Sequence, residues 1–329
     1  MDAELAVDVV VPAWNSKHWL GDCLDALRSQ TLPARTIIVV DDASTDGTGD
    51  WLAKHAGDLR VAHLDRNRGF AAAANRGLEL STAPLVALLN ADTRADAGWL
   101  EALAGHLARA PQSVGFAASR ILQLRAPDRI DSAGDQFSCY GSALKRGRGD
   151  DSKNWSRPDT VLSACAGAAL YRRKMLDEIG SFDESFESYL EDVDLGMRAR
   201  LAGYTCLFVP SARVLHQGGG SGLPRPRYVR LMTANRVATI LRNFPGSVLR
   251  RHWLRLLWGQ WYFLLAYRRP WHSALGYVSL LRRLGTILRR RRSTQASRRV
   301  SSDEFEGSLA RDLGEPPLRW LLGQRLRGR

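Results

Sequence analysis

TIIVVDDASTDGTGDWLAKH, residues 36–55, holds a strand, a polar strand end and a helix in immediate succession. Ile37, Ile38, Val39 and Val40 form a short β-branched run, apolar on both faces, which predicts a strand buried inside a sheet. Asp41 and Asp42 follow directly, then a turn cluster of Ser, Thr, Asp and Gly, then a helix over 46–56. Such a unit belongs to a parallel α/β sheet, and these sheets bind ligands beyond the carboxyl ends of their strands. A carboxylate there can accept a hydrogen bond from a ribose hydroxyl or a base N–H, although the same residues also suit an ordinary turn.

The unit recurs on both sides. Val7 to Val11 runs into Pro12 and then Asn15, ahead of an amphipathic helix over 17–30. A strand over 60–64 precedes an Ala-rich helix over 69–80, which contains Asn75 and is opened by Asn67-Arg68-Gly69. A helix start of this kind attracts phosphate through its outward N–H groups. A strand over 85–89 ends at Asn90-Ala91-Asp92, with a helix over 97–108 beyond it. The expected fold is therefore α/β, a mostly parallel sheet flanked by helices. Residues 119–160, rich in Gly, Asp and Arg, predict a long loop region with room for short strands. Order returns with a small-residue strand over 164–171 that includes Gly167, and a helix over 191–202 opened by Glu191-Asp192-Val193-Asp194. Short strands over 204–209 and 213–216 follow, the last closing at His216, and the glycine run at 218–222 predicts a flexible link.

Taken in order, VVVPAWNS, IIVVDDASTDGT, RNRGFAAAAN, LLNADT, GSFDESFESYLEDVDLGMRARLAGY and a lone His216 resemble the inverting family-2 glycosyltransferases with a GT-A fold. They look most like the single-addition members that include rhamnosyltransferases. The resemblance covers about residues 7–217. It implies a catalytic domain over 1–222, with a donor half to about residue 118 and an acceptor half beyond it. It implies donor contacts at Pro12, Asn15, Asp41, Asp42, Asn67, Gly69, Asn75, Asn90, Asp92 and Gly167, with Asp41 and Asp42 at the base and ribose. The family's metal motif is Asp-x-Asp. Here Asn90 holds the first place, so Asp92 carries Mg2+ or Mn2+, joined by His216; a hard cation prefers carboxylate oxygen. The catalytic group is Glu191, Asp192 and Asp194, with Asp192 as the general base, because deprotonating an acceptor hydroxyl needs a carboxylate at the attacking oxygen. Each residue also has a plainer reading. Asp92 is a helix-cap candidate, acids favour helix N-termini, and a lone His is commonly a packing residue. The implied donor is a dTDP- or UDP-linked sugar, and the acceptor a polyprenyl-diphosphate-linked glycan in cell-envelope polysaccharide synthesis. Processive members carry Gln-x-x-Arg-Trp and several membrane spans. The nearest string here, RRHWLR, lacks the Gln, which favours one sugar per encounter.

The net charge of +13 is unevenly spread. Residues 225–329 hold 23 Arg against five acids, and no acid occurs between Arg225 and Ser302. The segment WLRLLWGQWYFLLAY, residues 253–267, is strongly apolar but spans only 15 residues and is bracketed by arginines. About 20 apolar residues are needed to cross a bilayer, so 223–329 predicts a helical extension lying on an anionic membrane surface. The expected location is the cytoplasmic face of the cell membrane, peripheral or monotopic. The N-terminus MDAELAVDVVVP does not read as a signal peptide. Cys23, Cys139, Cys165 and Cys206 lack the spacing of a zinc or redox motif. Two other readings compete: a basic nucleic-acid binder built on the Arg- and Trp-rich tail, and a catalytically inactive nucleotide-binding scaffold. No nucleic-acid module stands in the tail, and neither reading accounts for the ordered carboxylates.

Overall fold

The computed structural model describes residues 5–218 and 222–316. The chain divides into two compact units, Met1–Asp135 with Lys145–Gly222, and Gln136–Leu144 with Leu223–Arg329. Residues 136–144, expected in the acceptor half, thus group with the C-terminal unit.

In chain order the first unit runs β1 (Val7–Ala13), α1 (Lys17–Arg28), β2 (Thr36–Asp41), α2 (Thr48–His55), β3 (Leu59–His63), α3 (Phe70–Leu80), β4 (Leu85–Leu89), β5 (Thr93–Ala95), α4 (Trp99–Arg109), β6 (Val114–Gln123) and β7 (Ala126–Ser132). A hairpin of β8 (Asp135–Phe137) and β9 (Ala143–Lys145) spans the boundary. Then come β10 (Asp159–Val161), β11 (Ala168–Arg172), α5 (Arg173–Ile179), α6 (Glu191–Leu201) and β12 (Thr205–His216). The sheet order is β10-β12-β6-β11-β4-β1-β2-β3, with β5 on β12 and β7 on β6.

The apolar runs divide by alternation. Val9, Val11, Ile37, Val39, Ala87 and Leu89 face a core built with Leu20 and Leu24 of α1 and Trp99 and Leu103 of α4. Val10, Ile38, Val40, Val86 and Leu88 face the opposite core, with Ala71, Ala74 and Leu78 of α3. Both faces being covered, the strands read as continuous hydrophobic runs. The alanines and glycine of α3 bring that helix close: a Cβ on Gly77 would lie 2.1 Å from Val10 Cγ1. At the amino end of β1, buried Asp8 holds Arg35 at 2.8–2.9 Å and accepts from Ser81 and the amides of Thr82 and Ala83. This pins the start of three strands and leaves their carboxyl ends for a ligand.

β1, β2, β3 and β4 are parallel, whereas β11 runs antiparallel to both β4 and β6. The sheet is mixed rather than mostly parallel. The expected loop region over 119–160 does contain short strands, β7, β8, β9 and the end of β6 among them. β6 is an interior ten-residue strand between β11 and β12. Its small Ala117, Ala118 and Ser119 and the charged Arg120 hide a strand that is buried on both faces. The two expected strands over 204–209 and 213–216 are one strand, β12, interrupted by a register shift between Val209 and Arg213. The glycine run at 218–222 lies largely outside the described residues.

The second unit holds α7 (Arg225–Asn243), α8 (Gly246–Tyr267), α9 (Pro270–Ala296) and α10 (Ser302–Gly307). Phe137 packs edge-on to Phe244, which packs edge-on to Phe305. Tyr140 passes so close to α8 that a Cβ on Gly259 would lie 1.9 Å from its carbonyl oxygen. These contacts explain why residues 136–144 belong here. Among the described residues, the exposed large apolar side chains all lie on α8 and α9, with Trp253, Trp258, Trp261 and Trp271 between 48% and 71% exposed. Among the described residues no helix is long and apolar enough to cross a membrane.

Candidate active site

Pro12, Asn15, Asp41 and Asp42 lie at the carboxyl ends of β1 and β2. Asn15 sits at φ +49 and accepts from the Thr45 amide at 2.8 Å, while its own amide donates to Ser44 Oγ. Asp41 accepts from the Ser44 amide and faces His63 Nδ1 at 3.2 Å. These contacts join the two strand ends into one surface.

The start of α3 differs from expectation. Its amides do not point at an absent phosphate. Gly69 and Arg68 donate their N–H groups to Asp42 at 2.7 Å, Ala71 donates to the Glu187 carbonyl, and Asn67 Nδ2 donates to Asp42. The anion at this helix start is the protein's own Asp42, so Asn67 and Gly69 organise Asp42. Gly69 is required at φ +88, where a Cβ would lie 2.5 Å from the Glu187 carbonyl oxygen. The expected donor contact at Asn75 is corrected as well. Its side chain is buried and bonded to both backbone groups of Phe182 and to Glu184.

At the end of β4, Thr93 Oγ1 donates to the Asn90 carbonyl and the Asn90 amide donates to the Gly167 carbonyl. A Cβ on Gly167 would lie 3.0 Å from Asn90 Nδ2, so this glycine lets β11 pass the Asn90 side chain. Asp92 is no helix cap, because β5 follows it and Gly98 precedes α4. Its Oδ1 lies 3.4 Å from His216 Nε2, and its buried Oδ2 has no hydrogen-bond partner. His216 Nδ1 faces Asp131 Oδ2 at 2.9 Å. Lys145 Nζ donates to that same oxygen at 2.7 Å.

This arrangement fits a divalent cation. An orphaned buried carboxylate oxygen is costly, and a cation would satisfy it. Asp131 on Nδ1 fixes the imidazole and leaves Nε2 for the metal, the usual carboxylate–histidine–metal relay. Burial alone would lower the His216 imidazole, but hydrogen bonds to Asp131 and Asp92 outweigh it and raise the group to about 9. In this state an imidazolium bridges two carboxylates, and cation binding at Nε2 would displace its proton.

Asp192 opens α6. Its Oδ2 accepts from the Ala166 amide at 3.2 Å and its Oδ1 from the Val193 amide at 2.8 Å. Asp192, Asp135 and Cys165 bring their ligand atoms within 4.8 Å of one another. Burial pushes all three groups upward, and a thiol among carboxyls is a poorer home for a hard cation than Asp92 with His216. Burial raises Asp192 against the backbone N–H groups that favour its ionised form. Glu191 is also buried and driven well up by burial and then by Asp192; its Oε2 has no partner. Asp194, expected in the catalytic group, is held elsewhere. It is fully buried against Arg198 at 2.8 Å, and Arg198 also donates to the carbonyls of Ile179, Gly180 and Ser181.

The structure therefore brings together Asp92 with His216, and Asp192 with Asp135. Asp131, Asp135 and Lys145 are absent from the sequence reading, and Cys165 enters it only as a cysteine without motif spacing. All but Cys165 lie in the stretch read as loop, and only their polarity in strand ends could have pointed to them. The Lys145 charge favours the ionised forms of Asp192 and Asp135. Replacing it (Lys145→Met) should raise the Asp192 carboxyl further. A base works only when deprotonated, so the acid limb of the rate profile should move to higher pH, and Lys145→Arg should restore it. A pH–rate series on both variants checks this; an unmoved limb in Lys145→Met separates Lys145 from the base.

A parallel half that gathers polar groups at its strand ends is joined through β11 to an antiparallel half that carries the carboxylates, in one mixed α/β fold. The profile of "Glycosyl transferase family 2" matches residues 8–180, more than half of the chain, and the chain belongs to that family. It is 32% identical over 213 residues to the pre-mycofactocin glycosyltransferase of Mycobacterium tuberculosis, covering 64% of this chain and 42% of that protein. It is 27% identical over 207 residues to the N-acetylglucosaminyl-diphospho-decaprenol L-rhamnosyltransferase of the same species, covering 55% of this chain and 66% of the relative. The chain thus spans less than half the length of the first relative. Two solved structures share the fold. One is GalNAc-T7 with UDP, GalNAc and Mn2+ (TM-score 0.59, 14% identity, 99% of this chain and 57% of that one). The other is the mannosyltransferase of Pyrobaculum calidifontis with GDP-Man and Mn2+ (TM-score 0.51, 20% identity, 92% and 85%).

Proposed function

We propose that the chain is an inverting, metal-dependent glycosyltransferase. It moves one sugar, with rhamnose the favoured choice, from a dTDP- or UDP-linked donor to a hydroxyl of a polyprenyl-diphosphate-linked glycan. The observation that carries the reading is the orphaned Asp92 Oδ2 beside His216 Nε2 at the end of β4, the place where such a sheet meets a diphosphate. The decaprenol-linked rhamnosyltransferase among the relatives supports the sugar and the lipid-linked acceptor.

Asp41 and Asn15 hold the nucleoside at the ends of β1 and β2. Asp92 and His216 would hold Mg2+ or Mn2+, which supplies charge neutralisation for the departing nucleoside diphosphate. Asp192 takes the proton of the acceptor hydroxyl. That oxygen attacks the anomeric carbon from the face opposite the diphosphate, forms the new glycosidic bond as the old C–O bond breaks, and inverts the configuration. Glu191, whose carboxyl burial drives well up, stands beside the base. Residues 223–329 lie on the cytoplasmic face of the membrane through the exposed tryptophans of α8 and α9, where a lipid-linked acceptor diffuses.

The test is a calorimetric donor screen with Mn2+ present, followed by NMR of the product's anomeric configuration. Binding of a dTDP- or UDP-sugar and an inverted product support the reading. Retention of configuration, or no nucleotide bound with any metal, would sink it.

A further inference from the structure

The second unit carries a feature that sugar transfer does not use. Arg250, Arg291, Arg292 and Arg298 line a surface pocket of ≈ 490 Å³, together with Ser247 and Ser302. No carboxylate lines it. Two acids of neighbouring α10 are engaged elsewhere: Asp303 and Glu306 hold Arg251, and Glu306 also faces His252 at 2.9 Å. Arg291 is fixed by donating to the carbonyls of Leu241 and Phe244, both at 2.7 Å, and Arg298 donates to Ser302 Oγ at 2.9 Å. Among the described residues Arg250 and Arg292 make no ion pair. Four like charges around one pocket repel one another, and an anion between them removes that cost. Guanidinium groups suit a phosphate, because each can donate two parallel N–H bonds to it. The pocket also opens onto the first turn of α8, where the helix dipole favours negative charge.

A second observation says what carries the phosphate. Exposed apolar side chains run along α8 from the pocket at Leu254, Leu257, Trp258, Trp261 and Leu265. On α9 they run back from it at Leu288, Leu281, Val278, Leu275 and Trp271. Arg250 lies one helical turn before Leu254, and Arg292 one turn past Leu288, so each stripe starts at an arginine of the pocket. A free anion uses only the pocket. A phosphate on a hydrocarbon chain uses both features.

We propose that this pocket binds the terminal phosphate of an anionic membrane lipid, with Arg250 and Arg292 as its principal contacts. The proposal rests on the membrane-surface reading above, and the test separates the two. Full-length protein is floated with phosphatidylcholine vesicles that carry phosphatidic acid or, at matched surface potential, phosphatidylserine. The parent should favour phosphatidic acid by about tenfold or more, because a terminal phosphate accepts paired guanidinium bonds. Arg250→Gln with Arg292→Gln should abolish that preference. Arg282→Gln with Arg289→Gln removes equal charge from α9 outside the pocket and should keep it. Ser247→Glu places an acid in the first turn of α8, where it favours the helix, yet fills the pocket with negative charge. It should lose the preference without losing Tm. If the parent floats with both anionic vesicles alike, or both arginine pairs lose the preference equally, the pocket is overturned and the membrane surface stands. If the parent floats with no vesicle, both fall. A Tm rise with pyrophosphate, absent in Ser247→Glu, would then mark a soluble-anion site, and RNA binding lost in Ser247→Glu would mark a nucleic-acid backbone site.

Discussion

Asp192→Asn is expected to lower transfer by about two orders of magnitude or more while leaving donor affinity unchanged. Asn keeps the size of the side chain and an oxygen for the Ala166 or Val193 amide, so the start of α6 should survive. Only the basic lone pair is lost. The upward push that burial gives the Asp192 carboxyl has a further consequence. The parent's rate should fall, as pH drops, at a higher pH than an ordinary aspartate would impose, and this limb should vanish from the residual activity of the variant. Single-turnover rates and calorimetric donor binding on one preparation separate the two effects. Normal turnover in Asp192→Asn would move the base elsewhere, with Asp135 next in line because its carboxyl shares the same cluster. A parallel loss of donor affinity would instead make Asp192 a structural residue.

The parallel half was legible because physics writes it twice. Leu85 to Leu89 reads as a strand both from its composition and from the polar Asn90-Ala91-Asp92 that stops it, and the structure has β4 over those residues. The antiparallel half carries no such signal. β7, with the sequence APDRIDS, is half polar because β6 is its one strand partner in the sheet, and an edge strand need not be apolar on both faces. Asp131 at its end thus passes for loop, although it holds both His216 and Lys145. Asp194 was misread for the opposite reason. Its i,i+4 relation to Arg198 is plain in EDVDLGMRAR and would have marked a helix-face pair. The burial that turned this pair into a structural bolt was not visible in sequence. Asn75 was beyond reach altogether, because its partner Phe182 lies 107 residues away. At α3 the helix-start reasoning was physically sound, but the chain had supplied its own anion in Asp42.

Asp92→Ala is expected to remove transfer, and excess chelator to do the same to the parent. Neutralising charge on a departing diphosphate is worth roughly 4 kcal/mol, about a thousandfold in rate. Asp92 Oδ2 is the unsatisfied carboxylate oxygen at the end of β4. His216 alone would offer one neutral nitrogen, too little for a hard cation. The same geometry makes a subtler claim about Asp131, which would touch no metal. Through Nδ1 it sets which imidazole nitrogen is left for the cation, so Asp131→Asn should weaken Mn2+ binding by about 10- to 100-fold and be rescued at high metal concentration. Asp92→Ala should not be rescued. Manganese titration followed by electron paramagnetic resonance reads both without an acceptor or a turnover. Protons released on metal binding give a check on the donor set. His216 is raised to about 9 without metal, so near neutral pH a cation that takes Nε2 must expel close to one proton, and a His216→Gln variant should expel none. Full activity of the parent in chelator, or tight Mn2+ binding by Asp92→Ala, would remove the metal from the end of β4.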